Sequence, residues 1–324
     1  MASAEHDDRG TVCTTRHDCG WDVAATLETY DHNERRHAVM VAPGYRLDWN
    51  GAVLTMTGPD AEPWSNGIIY SDLDTNTADA MIAAQVQYFK TLRRGFEWKL
   101  FDHDEPWDLA ERLRRAGSRP EPAETLVVRD TREPFSAEPP GVPLELARLD
   151  NPADFALIAG LYGDTPAQRE HGHWLAKRLA DEKTAAPDAL SVYAARDGDS
   201  AVAAGWIRFP AKSAFASLRG GATLPRWRSQ GIYANLVALR HAEALTRGYQ
   251  WLTVDCGSES LPILEQHGFR RLAQTTPWVW RPDARSRTRH PCGATLFTPG
   301  WSTTRAGARG PQPPTMGPAR SAAP

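Results

Sequence analysis

Residues 220–237, GGATLPRWRSQGIYANLV, combine the residue types that can hold a phosphate. A strand-like run ends at Pro225. A basic, glycine-containing loop, Arg226 to Gly231, then opens a helix. The first turn of a helix offers backbone N–H groups with no partner inside the helix, together with the positive end of its dipole. Gly231 lets an anion approach the backbone, and Arg226 and Arg228 add positive charge. The preferred anion is a pyrophosphate. The run also fits an ordinary strand-to-helix turn with solvated arginines, since a short motif of this kind is open to both uses.

The surrounding elements must present that loop. Leu190 to Ala195 (LSVYAA) has strand composition, Asp197-Gly198 signals a hairpin, and Val202 to Phe209 supplies its partner. A third strand runs from about Phe215 to Leu224. A helix follows from about Ile232 to Arg247, with Leu236, Leu239, Ala242 and Leu245 as its apolar stripe. Trp251 to Asp255 reads as a strand, Leu261 to His267 as a helix capped by Ser260, and Phe269 to Trp280 as a last strand. Strands, helix, strand, helix, strand on a mixed sheet make an α+β or α/β architecture.

This segment resembles the GNAT acetyltransferases. Their acyl-CoA motif, approximately Val-x-Pro-x-x-Arg/Gln-x-x-Gly-x-Gly/Ala, falls on Thr223, Pro225, Arg228, Gly231 and Tyr233, with Leu236 in the helix beyond. RGYQWLTVD and SLPILEQHGF resemble the family's next strand and last helix. The resemblance implies that Gly221, Ala222 and Thr223 splay from the strand at Trp251. Their free backbone would pair with the pantetheine arm, and one backbone N–H would polarise the thioester carbonyl. It implies that Arg228, Ser229, Gln230, Gly231, Ile232, Tyr233 and Ala234 wrap the pyrophosphate of acetyl-CoA. It further implies transfer of an acetyl group to a primary amine, on a small molecule or a peptide, by direct attack and without a metal. A catalytically weak protein that binds CoA or a partner is the alternative.

Two departures bear on the chemistry. Tyr233 stands where the family has a small residue, and its ring is expected to point away from the phosphates. Leu264 stands where many members place a tyrosine that protonates the leaving thiolate, and leucine donates no proton. Tyr193 and Tyr249 are possible substitutes. Asp255 and Glu259 sit near the expected cleft mouth, where a carboxylate could deprotonate an ammonium or simply suit a helix start. His241 and His267 read as scaffold and Cys256 as a small buried residue. No catalytic residue is assigned. Cys13, His17 and Cys19 are a weak zinc signal.

The chain also repeats itself. LRRGFEWKLFD at 92–102 and LTRGYQWLTVD at 245–255 share the frame Leu-x-Arg-Gly-aromatic-x-Trp-x-x-x-Asp. Gly95 and Gly248 read as left-handed helix stops. A short helix ending in Gly117 or Gly268 follows each copy. The N-terminal copy resembles only the later half of the GNAT fold and has no phosphate loop. The expectation is two GNAT-like domains, each a mixed, mostly antiparallel sheet flanked by helices. Residues 36–131 form the degenerate one and 144–281 the acetyltransferase, with 132–143 (REPFSAEPPGVP) as a Pro-rich linker. Residues 1–35 read as poorly ordered. Residues 282–324 read as a disordered tail, because they show no apolar periodicity. From Arg281 onward seven arginines face one acid, Asp283, so the acidic balance lies in the preceding residues.

Composition sets the outer bounds. The 324 residues are 41% hydrophobic and 24% charged, ordinary for a globular chain. No apolar run approaches the roughly 18 residues that a membrane helix needs. The start, MASAEHDDRG, is too polar for a secretory signal. Four cysteines make no disulfide framework, so a reducing, cytoplasmic setting is expected. A net charge of −3 disfavours nucleic acid as a partner. Oligomeric state is left open.

Overall fold

In the computed structural model, which describes residues 21–39, 42–163 and 165–282, the strands pair into one mixed sheet. The N-terminal stretch contributes β1 (Arg46–Asn50), β2 (Val53–Thr57), β3 (Asn66–Ser71), β4 (Phe96–Phe101), the short β5 (Arg119–Pro120) and β6 (Glu124–Asp130). The C-terminal stretch contributes β7 (Glu145–Leu149), β8 (Leu190–Asp197), β9 (Ser200–Arg208), β10 (Phe215–Thr223), β11 (Trp251–Cys256) and β12 (Arg270–Trp280). The order across the sheet is β1-β2-β3-β4-β12-β6-β11-β10-β9-β8-β7, with β5 beside β12.

That order joins what the sequence divides. Two separate sheets are expected, yet β6 lies antiparallel beside β11 and β12 lies antiparallel beside β4. Each stretch thus sends its last strand into the other. The two inserted strands also pair with each other. Helix-flanked strands buried on both faces need continuous apolar runs rather than alternation. β8 shows this: Val192 and Ala194 pack with α4 (Ala156–Ala159) and α5 (Pro166–Ala185), while Tyr193 and Ala195 join the opposite core. In β6, Val127 joins the core under α6 (Ile232–Thr246) and α7 (Leu261–Gln266), and Leu126 and Val128 face the other way. α2 (Ala78–Thr91) and α3 (Leu109–Arg115) cover Phe96 and Trp98.

Several details depart from expectation for identifiable reasons. Residues 21–36 are ordered: Asp22 caps α1 (Val23–Tyr30), which continues as a π-helix, Asp31–Arg36, and Tyr30 is 1% exposed against the sheet. The stripe of threes on α6 is not its buried face. Steps of three fall short of a 3.6-residue turn and drift around the cylinder. Ala242 and Leu245 are exposed, whereas Ile232, Leu236, Val237, Arg240, His241 and Ala244 are buried. Gly95 does not stop α2. Arg93 takes the left-handed conformation at φ 54, with Arg93 N–H on Lys90 O and Arg94 N–H on Phe89 O. Gly248 makes the corresponding turn at φ 80, so the shared frame is offset by two residues in space. Gly95 is needed instead because a Cβ there would stand 2.7 Å from Pro63 Cγ.

No helix among the described residues is long and apolar enough to cross a membrane. The expected basic tail from residue 283 and the Cys13–His17–Cys19 group lie outside the described residues.

Candidate functional site: a strand fork and a left-handed loop

β10 and β11 run parallel but pair only at Phe215↔Trp251, Ala216↔Leu252 and Ser217↔Thr253. Beyond Ser217 they separate, so Gly221, Ala222 and Thr223 have no partner on the β11 side. A bulge reinforces the fork: the register between β10 and β9 shifts between Arg219 and Ala222. Gly220 and Gly221 carry it at φ 65 and φ 139, a region that side-chain-bearing residues avoid. At Gly220 a Cβ would sit 2.2 Å from the Trp206 ring.

The loop leaving β10 is a 3-10 turn at Pro225–Trp227 followed by Arg228 and Ser229. Ser229 is left-handed at φ 59, and Gly231, the N-cap of α6, at φ 76. Gly231 offers no capping side chain, so the first-turn N–H groups stay available. Left-handed residues in such a loop can turn backbone N–H groups toward one side, the arrangement that anion-binding nests use. Arg228 is exposed and donates Nε to Thr223 O at 3.2 Å, which sets its side chain alongside the fork strand. Ile232 is buried as an anchor and Ala234 half-buried. Gln230 O accepts from Gly141 N–H at 3.3 Å, and Asn235 Nδ2 donates to Glu138 O at 2.6 Å. The Pro-rich segment therefore runs beside the loop, with Phe135 stacked on His267 at 5.0 Å and packed on His241 at 5.3 Å.

All ten residues expected to hold the cofactor thus lie along one path, from the fork through the loop into α6. The Tyr233 ring turns inward: a Cβ on Gly221 would stand 3.1 Å from Tyr233 Cε2. Burial pushes its phenol up to about 12.

The other candidates scatter. Leu264 is 1% exposed in the core beneath α6 and α7. Cys256 lies in the same core, donates Sγ to Thr125 O at 3.3 Å, and is pushed by burial up to about 12, so it is no thiolate. Tyr193 donates to Glu243 at 2.8 Å and Tyr249 to Pro210 O at 3.0 Å, so neither phenol serves the fork. Glu259 is exposed. Asp255 is fully buried, 2.6 Å from Lys99 Nζ, and so faces that side chain rather than the fork.

Two features escaped the sequence. A buried charged cluster crosses the junction between the two stretches: Lys99 pairs with Asp255 and lies 3.9 Å from Glu124. Burial holds the nearby Glu97 carboxyl well above the usual range. Charged residues inside otherwise apolar strands were the available signal. The second feature is Glu34 of the π-helix, which reaches the fork's vertex. Ser217 Oγ, on the last paired residue of β10, lies 3.5 Å from Glu34 Oε2 and 3.3 Å from Thr253 Oγ1. Burial raises the Glu34 carboxyl. Such a distant residue leaves no local mark in sequence. Short π-helical turns are nonetheless often found at functional sites.

Comparison with solved structures assigns the architecture. A GCN5-related N-acetyltransferase from Kribbella flavida matches over 82% of this chain and 95% of its own, at 14% identity and a TM-score of 0.57. A tandem GNAT protein from the clavulanic acid biosynthesis pathway matches over 76% and 86%, at 11% identity and a TM-score of 0.52. A functionally unknown conserved protein from Staphylococcus epidermidis ATCC 12228 matches over 76% and 96%, at 12% identity and a TM-score of 0.55. The chain therefore has the GNAT acetyltransferase fold over most of its length. No protein-family profile matches it, and no curated protein matches it significantly.

Proposed function

We propose that this protein transfers an acetyl group from acetyl-CoA to a primary amine, at one site in its C-terminal half. The observation that carries the assignment is the fork continuous with the left-handed loop at Ser229 and Gly231. The residues present fit the co-substrate there. Gly221, Ala222 and Thr223 offer unpaired backbone to the pantetheine arm. Arg228 through Ala234 offer N–H groups and a guanidinium to the pyrophosphate. The bound thioester supplies the electrophile, and this chain orients it.

Glu34 is the group we place on the amine. An ammonium has no lone pair and must lose a proton before it attacks. A half-buried carboxylate with a raised pKa is suited to take it. Glu34 faces the vertex of the fork from the π-helix, while the phosphate loop approaches through α6. The two substrates would then meet from different elements.

We also take residues 36–131 and 144–281 as two copies of one fold that exchange their last strands. The N-terminal copy has its own fork: β3 pairs with β4 only at Gly67↔Glu97 and Ile68↔Trp98. Arg35 spans its open end, 3.8 Å from the Phe101 ring centre and 5.5 Å from that of Tyr70. It is tied to Asp104 at 2.6 Å and Asp31 at 3.0 Å. With that fork closed and no phosphate loop, the N-terminal copy serves as scaffold.

Leu264 in the core and the inward Tyr233 ring favour a second assignment, a weak enzyme that chiefly binds CoA. Incubating the protein with acetyl-CoA, a thiol reagent and an amine panel separates the two. Amine-dependent release of free thiol is expected. CoA binding without any release would select the second. A charge-assisted phosphate contact is worth about 1.5–3 kcal/mol, so Arg228→Ala should weaken CoA binding about 10- to 100-fold in calorimetry.

A further inference from the structure

The Tyr233 ring occupies the approach that the site must keep open. The side chain leaves the second residue of α6 and lies against Gly221, on the strand whose free backbone forms one arm of the fork. It packs on the core that includes Cys256 and Leu264, on β11 and α7. The ring therefore lies between the loop that would hold a pyrophosphate and the strands that would hold the arm attached to it. An extended arm cannot run along Gly221 while the ring rests there.

Packing rather than polar contacts holds the ring. Arg35, at the N-terminal fork, is fixed by two carboxylates. Among the described residues Tyr233 makes neither an ion pair nor a side-chain hydrogen bond. Burial keeps its phenol protonated at any physiological pH, so no charge opposes its return to the core. Its position is set by packing alone and can be exchanged for another.

We propose that Tyr233 is a gate on the C-terminal fork: its ring covers Gly221 in the free protein and swings out to admit an acyl-pantetheine arm. This inference rests on the acetyl-CoA assignment above and adds how entry to that site is controlled. A ring that lies closed most of the time lowers apparent affinity by the fraction of open molecules. Removing the ring should return that factor, on the order of tenfold if the closed form dominates by ten to one.

The test is calorimetric titration of the full chain with CoA, comparing wild type, Tyr233→Ala and Tyr233→Phe. The gate predicts about tenfold tighter binding by Tyr233→Ala and wild-type affinity for Tyr233→Phe, which keeps the ring. If wild type binds and Tyr233→Ala binds equally or more weakly, the gate is wrong and the acetyl-CoA assignment stands. If neither protein binds CoA, both fall. Should Tyr233→Ala not fold, fluorotyrosine labelling gives a second readout. The fluorine resonance lost in Tyr233→Phe identifies the ring, and saturating CoA should move it to a solvent-exposed shift. A resonance that stays in place under saturation overturns the gate.

Discussion

Single residues decide whether the fork exists. Gly220 meets two constraints at once, φ 65 and a Trp206 ring 2.2 Å from where a Cβ would stand. Gly220→Ala should therefore cost about 1–3 kcal/mol of strain, read as a lower melting temperature, and weaken CoA binding by shifting the bulge. Leu264 shows the opposite situation. Its place in the family pattern suggests that a tyrosine would restore a proton donor, but the side chain is 1% exposed. Leu264→Tyr overpacks a filled core and should cost about 1–3 kcal/mol, with no gain in turnover. The loop from Pro225 to Gly231 was legible as an element because glycine, proline and arginine spacing is local chemistry. Glu34 and Lys99 were not, because their roles come from partners 183 and 156 residues away, Ser217 and Asp255.

At the scale of elements, the junction between the π-helix and β4 carries a titrating pair. His103 lies 2.7 Å from Asp31 and 3.2 Å from an Arg35 nitrogen. Burial pulls the imidazole down, but the hydrogen bond and charge of Asp31 outweigh it and hold His103 above its ordinary value. Burial likewise pushes Asp31 up, and His103 and Arg35 bring it below its ordinary value. The signs follow. The histidine's contribution is complete below its unfolded pKa, about 6.5, and is lost as pH rises through the higher folded value. The aspartate's is present above about 3.9 and is lost as pH falls through its lower folded value. The pair is thus strongest in mildly acidic solution. Melting temperature should fall from pH 6 to pH 8 in wild type, and His103→Gln should flatten that slope. An unchanged slope would remove the pair from the pH response. Element boundaries from β8 to β12 were readable because their turns carry Gly and Pro. The buried face of α6 was misread, because a stripe of leucines satisfied a pattern of threes that the helix does not follow. The π-helix was missed because its charged residues look like a solvated terminus until Arg35 and Glu34 find their partners.

For the whole molecule, strand order carries the argument. Local composition locates strands but says little about which strands pair across a hundred residues or more. The duplicated frame suggested kinship between the two stretches, and it also invited the picture of two separate sheets. In the structure β11 has β6 as its neighbour and β12 has β4, so each stretch alone would expose a long, apolar strand edge. Such edges recruit other chains and drive aggregation. A fragment of 144–281 expressed alone should therefore be insoluble or melt without cooperativity. Co-expressed fragments 1–140 and 141–324 should assemble one-to-one, because their six-residue registers, Trp251–Cys256 on Asp130–Thr125 and Phe96–Phe101 on Trp280–Thr275, remain available. Co-purification on a tag carried by one fragment, followed by a single thermal transition, is the expected result. A soluble 144–281 fragment that melts cooperatively and ignores the other fragment would show that the strand exchange contributes little to stability. CoA titration of the reassembled pair, matched against the intact chain, would then report whether β6 beside β11 is what holds the fork open.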